Sequence, residues 1–312
     1  MSVPLWCWFA AGALIAALLA VDFAVHRGVR QISLRYAIAV SAGWIGVGVL
    51  FGLVLGATRG WDSASEYFAG YLIEKSLSID NIFVFALLFG SFGVSPTHQR
   101  RVLFYGVFGA LVLRGVFITA GASILDHFSW ALYVLGALLL LSAGRMVRGT
   151  GLVDPERNIV IKSLRRVLPV TPTYVGARFF GRHDGRLMAT PLLVALIAIE
   201  VTDLVFAMDS IPAIFGVTRD VFVVFTANAF AVLGLRALYF VLAGALHRFA
   251  YIKYGVAALL IFVGLKMLLA WLVVIPILAS LIAIVVIIGI SIAISVWHEP
   301  RKAVVPAGAS RT

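Results

Sequence analysis

Charge is what this sequence has least of. Of 312 residues only 12% are Asp, Glu, Lys or Arg, while 62% are hydrophobic. Soluble domains are nearer a quarter charged. The shortage excludes a soluble enzyme and a disordered chain. Cysteine is also scarce: the single Cys7 can form no internal disulfide and build no thiolate metal cage, which excludes a secreted disulfide scaffold. No Gly precedes any Lys, so there is no G-K-[ST] phosphate loop, and ATP coupling within the chain is not expected. Long hydrophilic stretches are missing too, apart from 149–189.

What is present is apolar length. The mean hydropathy is +1.06. A bilayer crossing takes about 20 apolar residues, and nine stretches meet that need, roughly 3–24, 34–57, 66–90, 102–124, 128–147, 190–217, 221–245, 251–272 and 274–297. The expected class is therefore an all-α polytopic membrane protein with about nine transmembrane helices. The first stretch is not a typical cleaved signal peptide, because no Lys or Arg precedes it.

The net charge of +11 is distributed rather than patched, and no nucleic-acid-binding module accompanies it. Nineteen of the 25 Lys and Arg residues fall on alternate loops, around Arg27, Arg100, the 145–189 segment, Arg248 and the tail from Arg301. The opposite loops hold only Arg59 and Arg219, and four bases (Lys75, Arg114, Arg236, Lys266) lie within spans. The positive-inside rule then puts the N-terminus outside and the C-terminus in the cytoplasm of an inner (plasma) membrane. Residues 1–60 carry two spans, 148–189 form a basic cytoplasmic linker, and 273–312 carry the last span and a tail. Within the linker, Ile159 to Leu168 alternate apolar with Lys162, Arg165 and Arg166, which fits either an amphipathic helix on the inner leaflet or a solvated helix. Gly48, Gly52 and Gly56 repeat at four-residue spacing in span 2, a helix-packing pattern.

Two segments resemble each other. Placing Asp80 on Asp209 also places Glu74 on Asp203; Arg114 matches Arg236, and Tyr133, Arg145 and Met146 match Tyr254, Lys266 and Met267. The offsets drift only from 129 to 122 to 121, so 66–147 and 190–272 read as one three-helix unit used twice. Three is odd, so the copies run in opposite directions. Inverted repeats of this kind place their binding site near the bilayer midplane, at the repeat interface.

Five carboxylates lie within the predicted spans: Glu74, Asp80, Glu200, Asp203 and Asp209. A central Asp costs about 2.5–3.5 kcal/mol on insertion scales, which makes an intramembrane acid a functional candidate. Against them stand Lys75, Arg114 and Arg236 as charge partners, which leaves a formal −2 that one divalent ion would balance. Pairing for helix packing alone is the plainer alternative. Glu200 and Asp203 share a helix face, whereas Asp80 and Asp209 sit about 120° from Glu74 and Asp203. Convergence calls for an interruption, and Pro212, which lacks an N–H, offers either a break or a simple kink. Asn81 and Ser210 are further oxygen donors, and Met208 is a thioether beside Asp209. An oxygen shell suits Mn²⁺, Mg²⁺ or Ca²⁺.

The motifs EKSLSIDNIFVF (74–85), ATPLLVALIAIEVTDLVFAMDSIPAIF (189–215), NAFAVLGLRALYF (228–240) and YIKYGVAALLIFVGLKMLL (251–269) resemble the TerC family of bacterial membrane proteins, in its longer, Alx-like branch. The resemblance implies a metal-ion transporter related to LysE-type exporters, chiefly a manganese exporter, with Glu74, Asp80, Glu200, Asp203 and Asp209 at the family's acidic positions. Mn²⁺ is then the transported substrate rather than a cofactor, no catalytic residues are expected, and the partners are the ion and the lipid bilayer. Crowded carboxylates would take up protons as the metal leaves, so proton exchange is the expected driver. Association of several copies is left open. Two rival classes stand beside this one: a membrane scaffold or insertion partner that supports metal loading of exported proteins, and an intramembrane protease using paired aspartates.

Overall fold

The computed structural model describes residues 3–26, 33–128, 130–148, 169–183, 186–243, 252–272 and 275–297. The amphipathic stretch 159–168 and the tail from 301 lie outside the described residues. Long apolar runs become helices because a chain in hydrocarbon must satisfy every backbone group internally. In order these are α1 (Leu5–His26), α2 (Leu34–Arg59), α3 (Trp61–Phe92), α4 (Pro96–His127), α5 (Ala131–Val147), α6 (Pro191–Phe215), α7 (Val221–Leu233), α8 (Leu235–Ala243), α9 (Ile252–Leu268) and α10 (Ile277–Trp297). The class is all-α and polytopic. Among the described residues six spans are long and apolar enough to cross a membrane, one of them joining α7 to α8, and α5 and α9 are shorter apolar helices. Helix α3 has 32 residues and carries Asp62, Glu66, Glu74, Lys75 and Asp80 along its length.

The helix ends follow from local chemistry. Ser33 caps α2 by accepting from the Tyr36 N–H at 3.3 Å, and Asp220 caps α7 by accepting from the Phe222 and Val223 N–H groups at 2.9 and 3.3 Å. Pro96 and Pro191 open α4 and α6, where a missing N–H costs nothing. Gly60, at φ 95°, allows the abrupt corner between α2 and α3.

Helix α3 packs on α6 and α7, α4 packs on α6 and α7, and α5 packs on α9. Exchanging α3, α4 and α5 for α6, α7–α8 and α9 returns the same set of neighbours. Close approach is bought with glycine. A Cβ at Gly136 of α5 would lie 3.0 Å from the Gly264 carbonyl of α9, and one at Gly264 would lie 2.9 Å from the Gly136 carbonyl. The Gly48, Gly52 and Gly56 row of α2 receives Tyr71, Phe68 and Ala64 of α3, and the Tyr67 hydroxyl donates to the Gly48 carbonyl at 2.9 Å. The outer surface is apolar, with Leu278, Ile282, Val285 and Ile290 of α10 exposed. Trp6, Trp61, Trp130, Trp271 and Trp297 stand exposed at or near helix ends, as in interfacial aromatic belts.

One element departs from the helical expectation. The linker region contains a short antiparallel hairpin, β1 (Phe180–His183) with β2 (Arg186–Ala189). It sits on the helix ends: Tyr174 donates to the Phe92 carbonyl at 2.7 Å, and the Arg101 guanidinium lies 5.3 Å from the centre of the Phe179 ring.

Candidate intramembrane ion site

Arg114 is the centre of the acidic region. It sits in the middle of α4, 1% exposed, and faces α3, α6 and α7. Its Nε and Nη2 donate to the two Asp203 oxygens at 2.9 Å each, a bidentate grip. Its Nη1 donates to Glu74 Oε1 at 2.5 Å and to Asn228 Oδ1 at 3.3 Å. Asn228 returns its amide N–H to Glu74 Oε2 at 3.0 Å. One guanidinium thus ties four helices together, using the two acids that the sequence alignment of the two units places at equivalent positions. A buried charge needs this degree of pairing.

Around this knot lie oxygens without partners. Asn81 donates to Asp203 Oδ1 at 3.5 Å, but its own Oδ1 accepts nothing. Glu200 Oε2 is likewise buried and unpartnered, and so is Ser210 Oγ, two turns beyond Asp203 on α6 and next to Asp209. Asn81 and Ser210, both 1% exposed, occupy equivalent places in the two aligned units. Glu200 lies one turn from Asp203 on α6, as its spacing predicts, and its carboxylate fills the space beside Gly109 of α4, where a Cβ would collide with it. A small cavity borders Asp203, between Ile199 of α6, Leu235 of α8 and the α4 row Gly106, Val107 and Ala110.

The remaining expected residues are placed as follows. Asp209 accepts a hydrogen bond from Ser142 of α5 at 2.7 Å, apart from Arg114. The side chain of Asp80 lies outside the described residues. Among the described residues, no three His, Cys, Asp or Glu side chains come together closely enough to hold a metal ion. Met208 is 55% exposed on the outer face of α6, directed away from the acids. Helix α6 runs unbroken through Pro212, which stands three residues before the helix end and removes one backbone donor. The interruption falls at Gly234, between α7 and α8.

Two expected charge partners act elsewhere. Lys75 Nζ donates to the Ala231 carbonyl at 2.6 Å, beside the break at Gly234. Arg236 pairs with Asp22 of α1, at 2.8 Å to Oδ2 and 3.1 Å to its carbonyl. Sequence reasoning missed Asp22, although it lies inside the first predicted span and meets the same criterion as the other intramembrane acids. The hairpin was also missed, and its signal is Asp184-Gly185, the strongest two-residue hairpin turn pair.

Comparison with known proteins adds identity to geometry. Residues 59–303 match the family described as integral membrane protein TerC family. The chain is 42% identical, over 96% of its length and 95% of the relative's, to a membrane protein of Myxococcus xanthus. It is 42% identical over the same shares to a Salmonella typhi protein named as a candidate membrane-bound redox modulator, Alx. A Mycobacterium tuberculosis membrane protein is 42% identical over 84% of this chain and 68% of its own. No solved structure matches the chain.

Proposed function

The chain belongs to the TerC family of integral membrane proteins, and on that premise we propose that it moves a divalent metal ion, Mn²⁺, outward across the bacterial inner membrane. The ion is held by the intramembrane oxygens of α3 and α6. The observation that carries this reading is the surplus of anionic and unpartnered oxygen around Arg114. Glu74 and Asp203 share one guanidinium, Arg236 and Lys75 are engaged elsewhere, and Glu200 Oε2 and Asn81 Oδ1 accept nothing. A buried oxygen with no donor is costly, and a hard cation relieves several at once.

The nine-crossing topology with 66–147 and 190–272 as inverted units belongs to the same proposal. The exchange of helix neighbours between the two groups of three supports it, and so does the reciprocal Gly136–Gly264 contact. Rocking of one unit on the other would open the site to each side in turn. Protons taken up among the crowded carboxylates as the metal leaves supply the counter-flow, and the N-terminus lies outside.

The test is cellular manganese after a manganese load, with and without the protein. Export predicts a lower content on expression, and a higher content would reverse the direction to uptake. A second reading has its own observation: Glu74 and Asp203 are already neutralised in part by Arg114, as acids in a structural scaffold for metal loading would be. Asp80→Asn separates the two. Export predicts loss of manganese resistance, and a scaffold with structural acids predicts that resistance is kept.

A further inference from the structure

Arg114 holds two of the acids that the proposed ion would need. All four oxygens of Glu74 and Asp203 already accept hydrogen bonds, three of them from Arg114, so an ion that takes those three oxygens displaces the guanidinium. The surroundings of α4 show where it can go. The side chain of a helical residue leans toward the helix N-terminus, so the Arg114 head lies over the preceding turn, toward Ala110 and Gly109. Glu200 waits beside Gly109, its Oε2 buried and without a donor, and it is within electrostatic reach of both Arg114 and Asp203. A small cavity borders Asp203 along Gly106, Val107 and Ala110 of α4. A larger residue at position 109 would collide with the Glu200 carboxylate and push it away.

We propose that Arg114 is the resident cation of the site, clasping Glu74 and Asp203 when no metal is bound and passing to Glu200 when a divalent ion takes its place. This rests on the ion-site reading above. Glu200 is then a parking place for the guanidinium and not a ligand of the metal. The device keeps the empty site neutral enough to remain in hydrocarbon. It also makes affinity a difference between two cations rather than an absolute attraction.

The experiment is Mn²⁺ binding to the purified full-length protein, read by the electron paramagnetic resonance signal of free Mn²⁺, in a double-mutant cycle. Glu200→Gln removes the parking place and weakens Mn²⁺ binding by about threefold or more in the wild-type background. With Arg114→Gln the resident cation is gone, binding tightens, and adding Glu200→Gln changes it by less than about twofold. Glu200 as a metal ligand predicts the same loss in both backgrounds, and that result overturns the proposal. If Arg114→Gln does not yield monodisperse protein, Arg114→Lys replaces it. A single ammonium lacks the bidentate grip and leaves more readily, so Mn²⁺ binding tightens; unchanged or weaker binding means that Arg114 only braces the helices. Absence of Mn²⁺ binding to the wild type overturns the ion-site reading itself and this inference with it. An equal loss in both backgrounds overturns the inference alone.

Discussion

Two buried arginines at aligned positions serve different ends. Arg114 is tied to the acids of both units, whereas Arg236 anchors α1 through Asp22. Breaking a buried pair by removing one partner strands a charge, at a cost of about 3–5 kcal/mol. Asp22→Asn should therefore lower the thermal unfolding temperature in detergent while leaving Mn²⁺ affinity within about twofold. Loss of Mn²⁺ binding in Asp22→Asn would instead place Arg236 in the ion site. Met208, with its outward side chain, gives the complementary case: Met208→Leu should leave the preference between Mn²⁺ and Ca²⁺ unchanged in competition binding. At this scale the sequence shows which residues are charged inside the membrane, but not who faces whom. The bond of Asp22 to Arg236 crosses more than 200 positions, and no spacing rule reaches that far.

Helices were legible where length and hydropathy decide, and their interruptions were not. The expected spans 3–24, 34–57 and 190–217 correspond to α1, α2 and α6 with ends shifted by a few residues. Pro212 offers a break or a kink, yet the helix continues through it and the interruption lies at Gly234, where an added Cβ would meet Trp44 of α2 and Lys75 of α3. A close approach of this kind depends on tertiary neighbours, which local sequence cannot report. The glycine row of α2 was legible because it is periodic. It also yields a prediction. A Cβ at Gly52 would lie 2.5 Å from Phe68, so Gly52→Val should destabilise the α2–α3 pair by about 1–3 kcal/mol. Gly46→Ala, with nothing within 4 Å of its added carbon, should not lower the melting temperature of the purified protein. Equal melting of both variants would mean that the α2 row does not set the helix spacing.

For the molecule as a whole, the orientation proposed above rests on charge in the loops. In a Cys7→Ser background, Arg219→Cys should react with a membrane-impermeant thiol reagent in intact spheroplasts, and Arg182→Cys only after permeabilisation. The reverse pattern would invert the topology. The proposed two-unit plan draws on matched acids and arginines in the sequence. The hairpin between the units escaped notice because the linker was read for charge, whose pattern says nothing of strand pairing.

Every part of this account depends on a divalent ion entering hydrocarbon along the acids of α3 and α6. The direct test is Mn²⁺ flux into proteoliposomes containing a trapped Mn²⁺-quenched dye. The account predicts quenching that exceeds protein-free vesicles and is lost with Asp203→Asn, together with a change in lumenal pH. Wild-type protein that quenches no faster than empty vesicles would contradict it.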